Sequence, residues 1–571
     1  MKMFFRKNWA YVILALIVVL ATAIRIYHLQ TWLHFQADQA RDAMVVRRAI
    51  QNGISSLPLL GPRAGGTLLR LGPAFYYFEY LSAKITGSIQ PLVLAYPDII
   101  FGTLAVPLFY FFLRLYFRKI SSLLGTMLYA FSFIAVQYSR YAWNPNSVPF
   151  WTLFFLFSLV KFGRAEKEKE KYVWAALGAL ALGIASQLHF MAYISLPIIA
   201  IAFLVWSKAY RNLNFRRVAL VLAILVILYI PVILSEAKTG GSNTLQFVST
   251  IGGKSSDNTL GQKIHKTVEA NSQYYFFLLT SYKSLTNNDS PFAGIVFIAA
   301  SLLLIFFKFR RERDENRKLF LRLIFVWFAV SFLLIFPFTA RTHPRFFLTV
   351  YFLPLIFFIF WIEGLLDFFR RKKYQVTGIL VSTLLTLFIL VLNLEAVFAG
   401  FQGAAADREP KIWNNRSNIS SEIEKIPLYQ IRKAADYLAE RSRKEHKNIH
   451  LGGNMTYRAS IQYLLKLKSP VVDFENMSRL DDERDDLYFT VADDEGMCYG
   501  KTKELVGSEL TGAYFFGHRF ALCELKLLPD FETSRAKISP EAGKETSPEE
   551  DLEDAIDIKA RTRIFWRDLF N

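Results

Sequence analysis

Cysteine is nearly absent: Cys498 and Cys523 are the two thiols in 571 residues, so a zinc site built on cysteine pairs is excluded. The chain also lacks a Walker loop and a glycine-rich dinucleotide turn, the usual signatures of nucleotide-driven chemistry. No internal repeat is visible, which argues against solenoids and arrays. Charge is sparse, at 20% of residues, and the long apolar runs are almost free of it. What fills the chain instead is apolar: 53% hydrophobic residues, 16% aromatic, with 53 phenylalanines. That composition lies far from soluble domains and belongs with polytopic membrane proteins.

Eleven apolar stretches are long enough, or nearly so, to cross a hydrocarbon layer of roughly 30 Å. They run near 9–27, 92–113, 120–138, 147–162, 172–188, 190–206, 217–235, 291–308, 319–338, 345–366 and 374–398. The net charge of +19 would suit nucleic acid, but its placement points to lipid. Lys2, Arg6 and Lys7, then Arg114 to Lys119, Lys161 to Lys171, Lys208 to Arg217, Lys308 to Lys318 and Arg370 to Lys373 all fall on one side of an eleven-span arrangement. The positive-inside rule makes that side cytoplasmic. The expectation is a multi-pass protein of the plasma (inner) membrane with a cytoplasmic N-terminus and an extracytoplasmic C-terminal part. Lys2, Arg6 and Lys7 before an apolar core and Ala21-Thr22-Ala23 also fit a cleaved signal peptide; the other spans would keep the same orientation.

A membrane module over 1–398 then exposes a long first outer loop, 28–91, short loops at 139–146 and 339–345, and a Gly/Ser/Asn-rich loop, 236–290, that reads as partly ordered. Residues 399–535 read as a soluble α/β domain, with helices over 428–445 and 457–467 and strands near 448–451, 470–474, 487–492 and 519–527. Residues 536–571 predict a disordered tail with an amphipathic end carrying Ile564, Phe565, Trp566 and Phe570, which either docks or lies on a membrane. Both cysteines fall in the exported domain, where a disulfide and two free thiols are both open readings.

Chemistry concentrates in the first loop. On a helix over 37–50, four-residue spacing puts Asp38 and Asp42 on one face with Arg41 beside them. One carboxylate can act as general base while the other, or Arg41, tunes it; an N-terminal cap at Asp38 and a plain Asp42–Arg41 ion pair fit the same spacing. Further on, Leu60-Gly61-Pro62-Arg63 and Arg70-Leu71-Gly72-Pro73-Ala74-Phe75-Tyr76-Tyr77-Phe78 predict a Gly-Pro turn opening an aromatic interfacial helix. Arg63 and Arg70 would sit at phosphate height, and Tyr76 and Tyr77 would line an isoprenoid tail or simply anchor at headgroup depth. Arg341-Thr342-His343-Pro344-Arg345 places two guanidiniums outside, against the charge trend. That suits bidentate phosphate binding, a headgroup contact or a bridge to Asp38 or Asp42. His34, His189 and His343 lie near the outer face and are candidate ligands, with Asp38, for a divalent metal, although structural roles explain them as well. No cofactor is assigned.

The acidic motif in a long first outer loop, then Gly-Pro-Ala-Phe-Tyr-Tyr, then His343-Pro344-Arg345-Phe346-Phe347-Leu348 and an exported domain, resembles the GT-C glycosyltransferases. The nearest branch is the protein O-mannosyltransferase and aminoarabinose-transferase superfamily. The resemblance covers about residues 1–400 and implies a sugar transferred from a polyprenyl-phosphate donor to an acceptor protein, lipid or glycan, with inversion. By position Asp38 matches the first acid of the family's Asp-Glu pair, while Gln39 stands where the family has Glu, with Asp42 as a substitute. Gly72 to Tyr77 resemble the Pro-Pro-Leu-Tyr-Tyr-Trp stretch; the Lys that usually precedes it is replaced by Leu71, with Arg70 adjacent. His343 and Arg345 fall in the basic-aromatic loop, which makes Arg345 the first choice as phosphate ligand. A lipid-linked sugar flippase, or an inactive sugar-lipid-binding relative, is the alternative reading.

Overall fold

The computed structural model describes residues 2–64, 69–253, 259–282, 290–338, 344–406, 426–453, 455–468, 474–475, 486–492, 498, 508–518, 520–528 and 564–569. Counting helices of twelve residues or more, the amino-terminal part holds α1 (Lys2–Ile26), α2 (Ala37–Asn52), α3 (Ala74–Thr86), α4 (Tyr96–Leu113), α5 (Lys119–Ala130), α6 (Val148–Arg164), α7 (Glu168–Leu188) and α8 (Phe190–Ser207). Then come α9 (Phe215–Thr239), α10 (Ser242–Gly253), α11 (Leu260–Thr280), α12 (Phe292–Arg311), α13 (Glu315–Leu334), α14 (Phe352–Arg371) and α15 (Gln375–Ala406). Asn214, Thr259 and Asp314 start α9, α11 and α13 by accepting from backbone N–H groups of the first turn, which a helix cannot satisfy itself.

Among the described residues, eight helical stretches are long and apolar enough to cross a membrane: Asn8–Ile26, Pro91–Leu113, Glu168–Leu188, Phe190–Ser207, Phe215–Thr239, Phe292–Arg311, Phe352–Arg371 and Gln375–Ala406. This is a multi-pass membrane protein. The other three apolar stretches of the sequence are helical too. The third breaks into α5 and a short helix at Phe133–Gln137, the fourth is the 17-residue α6, and the ninth is α13, whose first turns carry Glu315, Arg317 and Lys318. Burial grades the helices: α9 buries 11% of its apolar window and α14 buries 61%, so α9 faces lipid and α14 sits inside. Around α14 the phenylalanines interlock, with Phe117, Phe320 and Phe360 around Tyr116 at ring separations of 5.1–5.5 Å. Such packing, rather than water exclusion, holds helices together in lipid. The described residues of the stretch 236–290 are mostly helix, since α9 extends to Thr239 and is followed by α10 and α11. The second half of α11 is buried from Tyr274 to Thr280, while Lys, Gln and Asn in its first half give it a loop-like composition.

The segment between α1 and α4 folds as α2, a hairpin and α3. In the hairpin, Gly61 N donates to Leu71 O at 2.7 Å and Leu71 N to Pro62 O at 3.0 Å. A side chain at Gly61 would collide with the Gly72 carbonyl, and one at Gly72 with the buried Gln187, so close approach explains why both Gly-Pro steps carry glycine.

The C-terminal region packs α16 (Leu428–Glu445) and α17 (Met455–Lys468) on a sheet of order β2-β1-β3-β5-β4, with β1 at Ile449–Gly453, β2 at Phe474–Glu475, β3 at Leu487–Ala492, β4 at Ser508–Gly517 and β5 at Phe520–Leu527. β1 pairs in parallel with β2 and β3, while β3–β5 and β5–β4 are antiparallel. A Cys498–Cys523 disulfide closes the 25-residue separation. Residues 564–569 return to the first loop: Leu59 N donates to Ile564 O and Trp566 N to Leu57 O, while Trp566 Nε1 donates to Tyr77 Oη at 2.9 Å.

Candidate active site on the first loop

Asp38 occupies the first turn of α2, where a helix N-terminus favours negative charge. Arg41 donates to Asp38 Oδ1 at 2.7 Å through Nη1, and to Asp42 through Nε at 2.8 Å and Nη2 at 3.1 Å. The two acids share one cation but not one environment: the Asp38 side chain is 50% exposed and that of Asp42 is 1% exposed. Burial works against the Arg41 charge, yet Asp42 and Asp38 outweigh it and hold the guanidinium above its ordinary pKa. Gln39 is buried, and its Oε1 accepts from Gln36 N at 3.0 Å, closing the start of the helix. A carboxylate in that place would accept the same bond, so the Gln39 replacement keeps the local geometry.

Behind α2 lies α3. Tyr76, fully buried, is close enough to Arg41 for its phenol to act on the guanidinium. One turn on, on the same face, Glu79 is fully buried, and neither of its oxygens has a hydrogen-bond partner among the described residues. Burial first, and then Asp42 and Asp98, push its carboxyl well above the usual range, with Arg41 opposing. Sequence reading missed Glu79; an acid three residues from Tyr76 inside an aromatic helix is the signal that would have found it.

An aromatic wall runs from the acidic loop to the mouth of α14. His34 meets Tyr141 edge-on at 4.8 Å, Tyr141 stacks with Trp143 at 6.1 Å, and the Arg345 guanidinium lies 5.8 Å from the Trp143 ring. Trp143 N donates to Asp98 Oδ2 at 3.0 Å, pinning the short outer loop to α4. On the other side of Arg345, Phe346 faces His189 at 6.2 Å. Nearby, Arg140 donates to the carbonyls of Ile24, Arg25 and Tyr27, closing the end of α1.

Asp38, Arg41, Asp42 and Tyr76 thus come together, while His34 and Arg345 flank the Tyr141–Trp143 pair. Arg63 and Arg70 face each other across the hairpin, where Asn243 of α10 grips the backbone of Arg70 through both its N–H and its carbonyl. Tyr77 faces Trp566 instead, and burial pushes its phenol up to about 12. Arg341 and His343 lie outside the described residues. As for a metal, His189 Nδ1 accepts from Met191 N as the cap of α8, and among the described residues no three His, Cys, Asp or Glu side chains gather around one point. The described residues do not assemble a metal centre.

Residues 71–234 match the family of dolichyl-phosphate-mannose-protein mannosyltransferases. The matched stretch contains Tyr76, Glu79 and His189 and begins after Asp38. No curated protein matches the chain. Among solved structures, ArnT from Cupriavidus metallidurans bound to undecaprenyl phosphate aligns with a TM-score of 0.56 at 10% identity, over 90% of this chain and 98% of that one. The oligosaccharyltransferase AglB from Archaeoglobus fulgidus, in complex with an inhibitory peptide and a dolichol-phosphate, aligns with a TM-score of 0.50 at 12% identity, over 81% of this chain and 64% of that one. The described helices and the shared architecture make this chain a multi-pass membrane protein of the GT-C fold, within which residues 71–234 resemble the protein mannosyltransferases.

Proposed function

We propose that this protein is an integral membrane glycosyltransferase that moves a sugar from a polyprenyl-phosphate donor to an acceptor hydroxyl, with Asp38 as the base. The observation that carries this reading is the division of roles at Arg41. The guanidinium clamps buried Asp42 with two bonds and reaches half-exposed Asp38 with one, so a carboxylate faces outward from a rigid helix end. Asp38 takes the proton of the acceptor hydroxyl as its oxygen attacks the anomeric carbon. The bond from that carbon to the phosphate oxygen breaks on the opposite face, and configuration inverts. The leaving group is already a phosphate ester, so no nucleotide is needed. Arg345, held against Trp143, stabilises the charge developing on it, with Arg341 and Arg70 as further contacts. Undecaprenyl phosphate on ArnT and a dolichol-phosphate on AglB support a donor of this class.

The same reading puts Asp38 and the C-terminal domain on the extracytoplasmic side of the plasma (inner) membrane. The disulfide Cys498–Cys523 supports that side, because such bonds persist in oxidising compartments.

The test uses the full chain in nanodiscs with radiolabelled polyprenyl-phosphate sugars. Wild type should release polyprenyl phosphate, and Asp38→Asn should slow release by on the order of 10²–10⁴-fold, the usual contribution of a general base, while still binding the lipid. Binding without release from any donor would replace this reading with a flippase or an inactive relative.

A further inference from the structure

At the end of α4 and α14 remote from Asp98 and Arg345, a cavity of about 470 Å³ opens between helices. Arg114 follows Asp98 by 16 residues at the end of α4, so at 1.5 Å per residue the cavity begins roughly 24 Å along that helix from Asp98, near the far side of a hydrocarbon layer of roughly 30 Å. Its volume falls in the range of small-molecule sites. Five cations line it: Arg114, Arg118, Lys119, Lys308 and Arg317. Only two acids face them, and both are taken. Glu363 accepts from Arg118 N at 3.0 Å, and Asp367 is shared by Arg118 and by Lys308 at 3.3 Å. Glu312, outside the lining, pairs with Arg317 at 3.3 Å, and Arg317 also stacks over Tyr116. Two positive charges remain unmatched after all three acids are counted. Lys119, exposed at the start of α5, has no ion pair among the described residues.

We propose that this cavity is a binding site for a phosphate-bearing anion, distinct from the transfer site and facing the opposite leaflet. Arginine forks and a free lysine ammonium around a polar hollow match phosphate oxygens, and basic pockets between membrane helices suit anionic lipid headgroups. The shared chemistry is the phosphate; its two sources are a lipid headgroup and a soluble phosphate ester. The site is independent of whether Asp38 is the base.

The test is native mass spectrometry of the full chain in detergent with dioctanoyl phosphatidylglycerol, dioctanoyl phosphatidylcholine and glycerol 3-phosphate as probes. At about fivefold per basic charge near a headgroup, Lys119→Gln should weaken phosphatidylglycerol binding roughly fivefold and Lys119→Glu roughly twenty-five-fold. Arg216→Gln, an exposed cation outside the lining, should leave binding unchanged. Glu at this position suits a helix N-terminus, so loss of binding would not reflect loss of the fold; an unchanged thermal midpoint checks this. Lys119-dependent binding of the lipid alone identifies the headgroup as the source, and equal Lys119-dependent binding of glycerol 3-phosphate identifies a soluble ester. Equal retention of both lipids, or binding indifferent to Lys119→Glu, would overturn the proposal.

Discussion

Arg41 serves two carboxylates, and behind them lies the buried carboxyl of Glu79. That burial has a consequence for stability. Burial and the neighbouring Asp42 and Asp98 raise the folded pKa of Glu79, whereas an unfolded glutamate titrates near roughly 4.3. Above that value the folded state holds more protons than the unfolded chain, so this group's contribution is complete at low pH and is lost as pH climbs toward the raised folded value. Glu79→Gln keeps the shape and removes the titration. The thermal midpoint of wild type should fall more steeply than that of the variant as pH rises above roughly 4.3; parallel slopes would mean that the fold does not raise the Glu79 carboxyl. At this scale the sequence was partly readable. Spacing alone put Asp38, Arg41 and Asp42 together, because helical geometry is local. It could not separate the exposed acid from the buried one, since what covers Asp42 comes from α3.

At the scale of elements, the hairpin between α2 and α3 turns on two glycines. Gly61→Ala drives a methyl group into the Gly72 carbonyl, so the two strands must part and the bonds Gly61 N–Leu71 O and Leu71 N–Pro62 O are lost or stretched. The expected cost is about 1–3 kcal/mol. Hydrogen exchange should show it as faster exchange at 61 and 71, with α14 unchanged; an unaltered hairpin would show that the loop has slack. The helices were legible because apolar runs of this length have few other uses. β4 was not: Gly512 and Gly517 thin its side chains, its burial is mixed, and its pairing shifts register beside Leu510 and Phe515, so period-two alternation is weak. The first half of α11 was hidden by polar residues that face outward while the second half packs inside.

For the whole molecule, the C-terminal domain is fastened to the membrane module as well as to itself. Leu428 N donates to Leu33 O, Ser460 Oγ to Phe35 O, Gln36 Nε2 to Tyr457 Oη and Tyr463 Oη to Ile89 O. The disulfide acts within the domain. On the chain-entropy account a 25-residue closure is worth about 3 kcal/mol, so Cys523→Ser should lower the unfolding midpoint of the domain and leave the helical signal of the membrane module in place. Loss of both together would show that the module depends on the domain for its own stability. None of the four hydrogen bonds between domain and module is visible in sequence, because they join residues hundreds of positions apart.

Those same bonds impose an order on biosynthesis. The loop that carries Asp38 is among the first segments a ribosome delivers, yet Gln36 meets Tyr457 across a separation of 421 residues. At roughly 5–20 residues per second, the loop waits on the order of 20–80 s for the helices that hold its backbone. A chain interrupted before α16 therefore carries every residue proposed for transfer, with the acidic loop still unfastened.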